Sequence, residues 1–244
     1  MEPISNDEFI TDFIRFKVEL DQLNRGFSME WHEKWPILHE RSSTLPFSKD
    51  YIYHIGWASR ILANMKPQKH VDISSFHWFS IIMSAFIPVE YYDYRPLPVN
   101  LPNLKSSHAD ITNLPFEDNS VESLSSMSVV EHIGLGRYGD PIDPNGDLKA
   151  IAELKRVLAL GGYLFFVVPV GKPKILFNAH RIYSYNQILE YFNGLSLVDY
   201  ALVSGYDSYN GLIYNATEEQ TNNENQGAGC FLFRKNHTYS PDQS

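Results

Sequence analysis

The sequence contains a single cysteine, Cys230, so no disulfide can form within the chain. A reducing compartment is the simplest expectation, and we predict a cytoplasmic protein. The longest strongly apolar run, 163–170, is far shorter than the roughly 20 residues that a membrane-spanning helix needs. The first ten residues are acidic and lack the basic and apolar regions of a signal peptide. We therefore predict neither a membrane span nor a signal peptide.

Positive charge is also scarce, with 20 Lys and Arg against 29 Asp and Glu and a net charge of −9. A chain without a basic block is a poor candidate for binding a phosphate backbone, so no nucleic-acid partner is expected. Internal repeats and low-complexity runs are missing. What remains is an ordinary globular composition, 43% hydrophobic, over a length that fits one large domain or a domain with an extension.

Residues 1–66 are predicted to form an N-terminal helical extension. Ser5 or Asn6 can cap a first helix, and apolar spacing predicts a second helix from about residue 50 to 65, ended by Pro67. Trp31, Trp35 and Trp57 could form a lid over a cleft or, more simply, pack the extension against the main domain. The main domain is predicted over 67–236, followed by a disordered tail, 237–244.

Short apolar strands alternate with helices after Pro67. The first and second strands are expected at 70–74 and 89–95, the fourth and fifth at 121–130 and 163–170, and a final pair at 195–203 and 229–235. The third is a short strand within 108–120, which is otherwise a loop. The helices are expected at 76–86, 147–160 and 185–192. Gly161 and Gly162 are expected to close the second of these helices. The alternation predicts an α/β fold of Rossmann-like type, a mainly parallel sheet with helices on both faces. Ligands of such sheets bind beyond the carboxyl ends of the strands, here after the first, second and fourth.

Two aspartates stand at a suggestive spacing in this pattern. Asp72 lies in the first strand, and Asp93 follows it by 21 residues at the end of the second. In nucleotide-binding units of this kind, an acidic residue about 20 residues on binds the ribose hydroxyls, because a carboxylate can accept both O–H groups of a diol. The alternative is that Asp93 is an ordinary carboxylate at a strand end.

The central segment HADITNLPFEDNSVESLSSMSVVEHIG resembles the core block of the class I S-adenosylmethionine-dependent methyltransferases. That block has an Asp and a small apolar residue, then LPF, an acidic residue, a strand and EHI. The later segment AELKRVLALGGYLFFVVPVG resembles the helix, Gly-Gly turn and fifth strand of the same family. The likeness covers roughly residues 68–172. Through its WASRIL and FNAHRIYS segments the chain also looks like a bacterial subgroup of unassigned function.

The resemblance implies S-adenosylmethionine as cofactor and a set of residues that hold it. Asp110 would bind the adenine amino group, Ile111 would pack on the adenine ring, and Asp93 would hold the ribose. Asp72 would lie beside the methionine end. Ser74 and Ser128, which follow the first and fourth strands, complete the expected cofactor-binding set.

The loop after the first strand departs from the family pattern, which is rich in glycine there. The segment DISSFHWFS has no glycine between Asp72 and Ser80. Ser74 and Ser75 can offer hydroxyl and N–H groups, but every residue in the turn carries a Cβ. If the turn requires a positive φ, the backbone is expected to be strained.

The candidate acceptor side follows the fourth and fifth strands. His132 is the candidate general base, because histidine titrates near the working pH, and the alternative is that it packs at the strand end. His180 and Arg181 lie in FNAHRIYSY and could face the same cleft, where Arg181 could grip a carboxylate or phosphate of the acceptor. The alternative for Arg181 is a surface ion pair.

These observations favour an enzyme that methylates a small molecule or a surface-carbohydrate precursor, the latter by analogy with the bacterial subgroup. The alternative is a non-catalytic binding protein on the same fold, which the glycine-free loop favours. A nicotinamide-dependent oxidoreductase is opposed by the missing GxGxxG motif. His132, Asp140, Asp143 and Asp147 match no known metal-ligand spacing, so no metal is expected. The oligomeric state stays open.

Overall fold

The computed structural model of the chain describes residues 3–23, 25–43, 47–206 and 211–236. The chain divides into two compact units, Met1–Phe47 and Ser48–Ser244. The second unit therefore begins before the second predicted helix, which the sequence analysis assigned to the extension ending at residue 66. The reason is packing, since this helix buries Trp57, Ala58 and Leu62 in the core of the second unit. The tail predicted at 237–244 lies outside the described residues.

The first unit is built around one helix, α1 (Asn6–Gln22). The Ser5 side chain caps α1 by accepting a hydrogen bond from the Glu8 N–H at 3.1 Å, as the sequence predicts. Phe13 meets Trp31 edge to face, with ring centroids 5.0 Å apart. No residue of α1 is buried, so the helix contributes little to an apolar core of its own.

The second unit contains a mixed sheet that is eight-stranded over the described residues. Its strands are β1 (His70–Ile73), β2 (Val89–Asp93), β3 (Leu104–His108), β4 (Val121–Met127), β5 (Leu158–Val170), β8 (Leu195–Val203), β9 (Leu212–Tyr214) and β10 (Gly227–Lys235). The strand order is β3-β2-β1-β4-β5-β10-β8-β9. The first five strands along the chain run parallel, and β10 lies antiparallel between β5 and β8. The predicted parallel sheet and its final pair, β8 and β10, are confirmed.

Helices cover both faces of this sheet, as predicted. The helices are α2 (Lys49–Met65), α3 (Trp78–Met83), α4 (Gly146–Val157), α5 (Tyr185–Tyr191) and α6 (Glu218–Asn222). Strand β5 is buried on both sides: Phe165 and Val167 pack with α2 and α3, whereas Phe166 and Val168 pack with α4 and α5. Trp57 belongs to the core beside Phe165 and donates a hydrogen bond to Asp199 at 3.0 Å, so it packs and forms no lid. None of the helices in the described ranges has the length and apolarity needed to cross a membrane.

The glycine pair after α4 has a different role from the predicted helix end. Helix α4 already ends at Val157, and β5 begins at Leu158. The register against β4 then jumps from Val121–Leu158 to Ser123–Tyr163, which leaves the glycines in a bulge. Gly161 has φ +77°, a conformation that glycine adopts without steric cost. The bulge lets α4 pass directly into the central strand.

Several short elements differ from the prediction. The short strand predicted within 108–120 is found earlier, as the edge strand β3, and β9 and α6 lie between β8 and β10. A two-stranded antiparallel hairpin follows β5, formed by β6 (Lys174–Leu176) and β7 (His180–Ile182). This hairpin brings residues 179–181 back towards the loop that follows β4.

Candidate functional site

A cleft opens beyond the carboxyl ends of β1, β2 and β4, where the strand order reverses. It consists of two adjoining cavities of about 390 and 380 Å³, which share the lining residues Ser74, Asp93, Arg95, Ser128, His132 and Tyr138. We call the cavity that also contains Asp110 and Ile111 the aspartate cavity. The cavity that also contains Glu131 and His180 is the histidine cavity.

Two serines between these cavities have left-handed backbones. Ser74 follows β1 with φ +58°, and Ser128 follows β4 with φ +59°. The Ser74 N–H and hydroxyl both donate to the Tyr92 carbonyl, at 2.8 and 3.2 Å, and the Ser128 N–H donates to the Val167 carbonyl at 2.8 Å. The glycine-free turn thus adopts the positive φ that was expected to strain it, at a cost of roughly 1–2 kcal/mol per residue.

Asp93 ends β2 and lines both cavities. Its Oδ1 accepts a hydrogen bond from the Arg95 N–H at 2.7 Å, and its Oδ2 accepts one from the Tyr91 hydroxyl at 3.1 Å. Each carboxylate oxygen can accept two hydrogen bonds, so one site on each oxygen remains. These two contacts hold the carboxylate in place and leave it able to accept both hydroxyls of a diol.

Asp110 and Ile111 form the far end of the aspartate cavity. Asp110 Oδ1 accepts hydrogen bonds from the N–H of Thr112 at 2.8 Å and its hydroxyl at 2.7 Å. Asp110 is exposed, and its Oδ2 has no partner in the described part of the chain. Ile111 is buried and adds an apolar side chain to the lining of the same cavity. An acceptor oxygen and an apolar side chain in one cavity suit a flat heteroaromatic ring with an amino group.

Asp72 does not line the cleft, which corrects the expectation that it lies beside the methionine end of a cofactor. It is fully buried in β1 and accepts hydrogen bonds from the hydroxyls of Ser125, at 2.6 Å, and Ser80. Ser125 in turn accepts from His70 Nε2 at 2.9 Å, and His70 Nδ1 accepts from Ser123 at 2.8 Å. Burial raises the pKa of Asp72 and lowers that of His70 to about 3. This buried network joins β1 to β4 and α3 beneath the cleft.

His132 projects into both cavities from the single helical turn Val130–His132. Its Nδ1 lies 2.7 Å from the Ala179 carbonyl oxygen. Because a carbonyl oxygen only accepts, this shorter contact places the proton on Nδ1 and leaves Nε2 with a free lone pair. Arg137 Nη1, which lies 3.3 Å from Nδ1, donates to the same carbonyl at 3.0 Å. Burial lowers the pKa of His132 to about 4 against the raising effect of the hydrogen bond to Ala179, and Arg137 and His180 lower it slightly further. The ring is therefore neutral at pH 7 and presents an acceptor nitrogen.

Glu131 precedes His132 and is 2% exposed. Its Oε1 lies 3.7 Å from His132 Nε2, and its Oε2 is buried without a hydrogen-bond partner among the described residues. Burial raises the pKa of this carboxyl to about 8, against smaller lowering by Arg137 and backbone N–H groups. An unpaired buried carboxyl that lines a cavity is a common feature of functional sites. The resemblance placed Glu131 with His132 on the acceptor side, but the burial of its carboxyl cannot be derived from the EHI motif.

His180 and Arg181 begin the hairpin strand β7, and the structure separates them. His180 lines the histidine cavity, its ring centroid is 6.2 Å from that of His132, and its Nε2 is buried without a partner in the described ranges. Arg181 faces the protein interior instead, which corrects its predicted place in the cleft. It donates to the Ile133 carbonyl at 2.7 Å and lies 3.5 Å from Asp147. Arg181 thereby fixes the loop that carries His132.

Other cavity residues were not predicted. Asp50 and Tyr51 come from the first turn of α2, and Arg95 and Arg137 come from loops. No local pattern marks α2 as part of the cleft, whereas Arg95 could have been found by its position two residues after Asp93. The described residues contain no group of three or more His, Cys, Asp or Glu that could hold a metal ion. Asp140 instead accepts from three loop N–H groups.

Comparison with solved structures identifies the fold. The protein of Haloferax volcanii solved in complex with the Trm112 methyltransferase activator is 15% identical, with a TM-score of 0.52, over 78% of this chain and 92% of its own. The YcgJ protein of Bacillus subtilis is 15% identical, with a TM-score of 0.52, over 75% of this chain and 98% of its own.

A third similar structure was solved with ligands bound. The 1,6-didemethyltoxoflavin-N1-methyltransferase of Burkholderia thailandensis, solved with S-adenosylhomocysteine and its substrate, is 13% identical, with a TM-score of 0.50, over 75% of this chain and 79% of its own. At such identities the likeness shows the fold alone. It supports the predicted class I methyltransferase fold.

Sequence comparison gives one family. No curated protein matches the sequence. A family model described as "Caenorhabditis protein of unknown function, DUF268" matches residues 111–235, just over half of the chain. That description names Caenorhabditis, so the bacterial subgroup suggested by the sequence analysis has no support. The chain belongs to this DUF268 family, and it has the fold of the class I methyltransferases.

Proposed function

We propose that the chain transfers a methyl group from S-adenosylmethionine to an oxygen atom of a small hydroxylated acceptor, such as a carbohydrate precursor. The observation that carries this proposal is the aspartate cavity. Asp93 has two free acceptor sites, Asp110 has a free oxygen, and both line one cavity with Ile111 at the switch point of the sheet. This cavity continues into the histidine cavity, which holds a free histidine nitrogen.

The residues present fit the cofactor. Asp93 would hold the ribose hydroxyls, Asp110 the adenine amino group, and Ile111 the adenine ring. Ser74 and Ser128 have the left-handed backbone conformation in which glycine is usual. The backbone would therefore approach the cofactor as a glycine-containing turn does, although both residues carry a Cβ atom. When bound, S-adenosylmethionine supplies a methyl group on a positively charged sulfur atom, which suits a cleft lined by Asp50, Asp93 and Glu131.

The acceptor side is supplied by His132 and His180. The free Nε2 of His132 can accept the proton of an acceptor hydroxyl, and the Ala179 carbonyl holds the ring in the tautomer that this requires. The buried Nε2 of His180 can bind a second polar group of the acceptor. Two unpaired ring nitrogens in one cavity favour a ligand with neighbouring hydroxyls, because such a ligand can satisfy both.

Isothermal titration with S-adenosylmethionine and S-adenosylhomocysteine tests the proposal. We expect both to bind, and we expect Asp93→Asn to weaken both by roughly 10- to 100-fold through the lost charged hydrogen bonds. The matched control is Asp118→Asn, which removes an exposed carboxylate that pairs with Arg156 outside the cleft. Absence of binding heat with either ligand would instead support a non-catalytic binding protein on this fold.

A further inference from the structure

The carboxyl of Glu131 is a buried polar group of the cleft with one unpaired oxygen. Glu131 lines the histidine cavity and is 2% exposed. Its Oε2 has no hydrogen-bond partner in the described ranges. Among the described residues, the one Lys, Arg or His nitrogen within 4 Å of this carboxyl is His132 Nε2, which lies 3.7 Å from Oε1. A buried carboxylate without a cation beside it is costly, so the free protein favours the neutral acid.

The charged groups around Glu131 do not neutralise it. Arg137 is exposed and donates to the Ala179 carbonyl at 3.0 Å, and Arg181 is engaged with backbone carbonyls and Asp147. The titratable groups that line the cavity or surround this carboxyl are Asp50, Tyr51, His77, Tyr91, Asp93, Arg95, His132, Arg137, Tyr138, Asp147, His180, Arg181 and Tyr183.

We infer that Glu131 stores a proton that it releases when the positively charged cofactor binds, and that its carboxylate then activates His132 as the base. The inference rests on the proposed function. It follows from the position of an unpaired, buried carboxyl in the same cleft as the free His132 nitrogen. A cation entering that cleft supplies the missing counter-charge, so ionisation of Glu131 is no longer opposed.

Ionisation of Glu131 changes what His132 can do. The neutral ring is a weak base while the carboxyl beside it is also neutral, since burial disfavours the imidazolium. A carboxylate 3.7 Å from Nε2 stabilises that imidazolium. The base therefore becomes effective only when the cofactor is present, which couples binding to proton removal. Glu131 acts through His132 and is a positioning residue in this sense.

The proton and electron balance closes over one cycle. The acceptor O–H bond breaks and its proton goes to His132 Nε2, while an oxygen electron pair forms the new bond to the methyl group. The bond between sulfur and methyl breaks, and sulfur keeps that electron pair as a neutral thioether. The positive charge that held Glu131 ionised is then gone, so the proton passes from His132 to the Glu131 carboxylate. The site returns to its initial protonation state.

Proton counting by titration calorimetry tests this inference without any acceptor. The full chain is titrated at pH 7 with S-adenosylmethionine and with S-adenosylhomocysteine, each in phosphate and in Tris, whose ionisation enthalpies differ. The buffer dependence of the heat gives the protons released. We expect S-adenosylmethionine to release roughly one proton more than S-adenosylhomocysteine, because the two ligands differ by the charge on sulfur. In Glu131→Gln this difference is expected to vanish.

The control variant is Glu122→Gln, which removes an exposed carboxylate from β4 at its far end and is expected to keep the difference. Equal proton counts for both ligands in the natural sequence would overturn the inference alone. A difference that survives in Glu131→Gln would assign the proton to a neighbour such as His180 and also overturn it. Absence of binding by either ligand would overturn the proposed function, so the two failures are distinguishable.

A second measurement on the natural sequence does not depend on how the variant folds. The preference for S-adenosylmethionine over S-adenosylhomocysteine, measured as the ratio of their dissociation constants, is expected to increase severalfold from pH 6 to pH 8. At pH 6 the binding of S-adenosylmethionine must displace a proton from Glu131 in nearly every molecule. At pH 8 Glu131 has already lost this proton in a larger fraction of the molecules, so binding is opposed less. A ratio that is constant over this range would overturn the inference.

Discussion

The aspartate cavity and the histidine cavity share one wall, yet they are built in different ways. The polar groups of the aspartate cavity are half-buried or exposed, and short local hydrogen bonds orient them, as with Asp110 and Thr112. The histidine cavity contains buried atoms without partners among the described residues, on Glu131 and His180, and its lining comes from α2, the hairpin, several strand ends and the loops after β1, β2 and β4. Groups that only bind a ligand can stay in contact with water. Groups that must gain or lose a proton near pH 7 are helped by burial, because burial shifts their pKa.

This difference leads us to expect that substitutions in the two cavities affect different measurements. Changes to the aspartate cavity should alter cofactor affinity and leave proton-linked behaviour intact. Changes to the histidine cavity should alter proton transfer, and with it the dependence on pH, while affinity changes less. The following predictions are ordered from the largest expected effect to the smallest.

His132→Asn is expected to give the largest loss, roughly 100- to 10,000-fold in methyl transfer, because general-base assistance is removed. Cofactor affinity should stay within about threefold of the natural value, since the base contacts the acceptor. Transfer of a labelled methyl group to a panel of hydroxylated acceptors measures the first quantity, and calorimetry measures the second. If cofactor affinity fell as much as methyl transfer, His132 would be a cofactor-binding residue, and the proposed difference between the two cavities would be wrong.

Asp93→Asn is expected to have the next largest effect, on affinity. The dissociation constants of both cofactor forms should increase by roughly 10- to 100-fold, and the proton difference between them should persist. Titration calorimetry gives both values. Loss of the proton difference together with affinity would mean that Asp93, and not Glu131, is the group that titrates.

Glu131→Gln is expected to change the pH dependence of stability. The pKa of Glu131 is raised by burial from 4.5 to about 8. Its favourable contribution to folding is therefore fully present below pH 4.5 and is lost as the pH rises through 8. The amide of the variant resembles the neutral acid and does not ionise. As the pH rises from 6 to 8, the free energy of unfolding of the variant should therefore fall by roughly 1–2 kcal/mol less than that of the natural sequence.

Urea unfolding at several pH values measures this difference. Glu122→Gln is the control and should follow the natural sequence, because its carboxylate is exposed. His54, His70 and His132 act on the acid side, since burial lowers each pKa, and they should lower stability in all these proteins as the pH falls below 6.5. Parallel profiles for Glu131→Gln and the natural sequence would contradict the burial argument.

Ser74→Gly is expected to have the smallest effect, a gain of roughly 0.5–1 kcal/mol in stability. Glycine relieves the left-handed strain at φ +58° but loses the hydrogen bond from the Ser74 hydroxyl. Ser75→Gly is the matched control, and it should be destabilising because the Ser75 hydroxyl accepts from the Met127 N–H at 3.0 Å. Thermal unfolding compares the two, and equal destabilisation of both would show that Ser74 is not strained.

The parts of the site that the sequence predicted are those set by spacing along single strands. Asp93 ends β2 and Ser128 follows β4, two strands with clear apolar patterns, and parallel strands bring their carboxyl ends to one edge. Asp110 follows the polar strand β3, and its place was expected from the family resemblance. Asp72 was misplaced because a strand residue points to one face or the other, and a four-residue strand that is buried throughout has no polar alternation to show which.

The parts that could not be predicted depend on contacts between distant segments. The hairpin of β6 and β7 turns Arg181 inward, where it donates hydrogen bonds to loop carbonyls and lies near Asp147. The same hairpin leaves His180 in the histidine cavity. The polar edge strand β3 lacks an apolar pattern because it has one neighbour and an exposed face. The raised pKa of Glu131 depends on burial by α2 and the loops, which no local motif records.

The central claim is that acidic residues at neighbouring strand ends form a nucleoside site in this glycine-poor cleft. A crystal structure of the protein soaked with S-adenosylhomocysteine tests it most directly. We predict electron density for the ribose at Asp93, with the adenine against Ile111 and its amino group near Asp110. Density elsewhere on the protein, or side chains filling the aspartate cavity while the ligand is shown to bind, would contradict the claim.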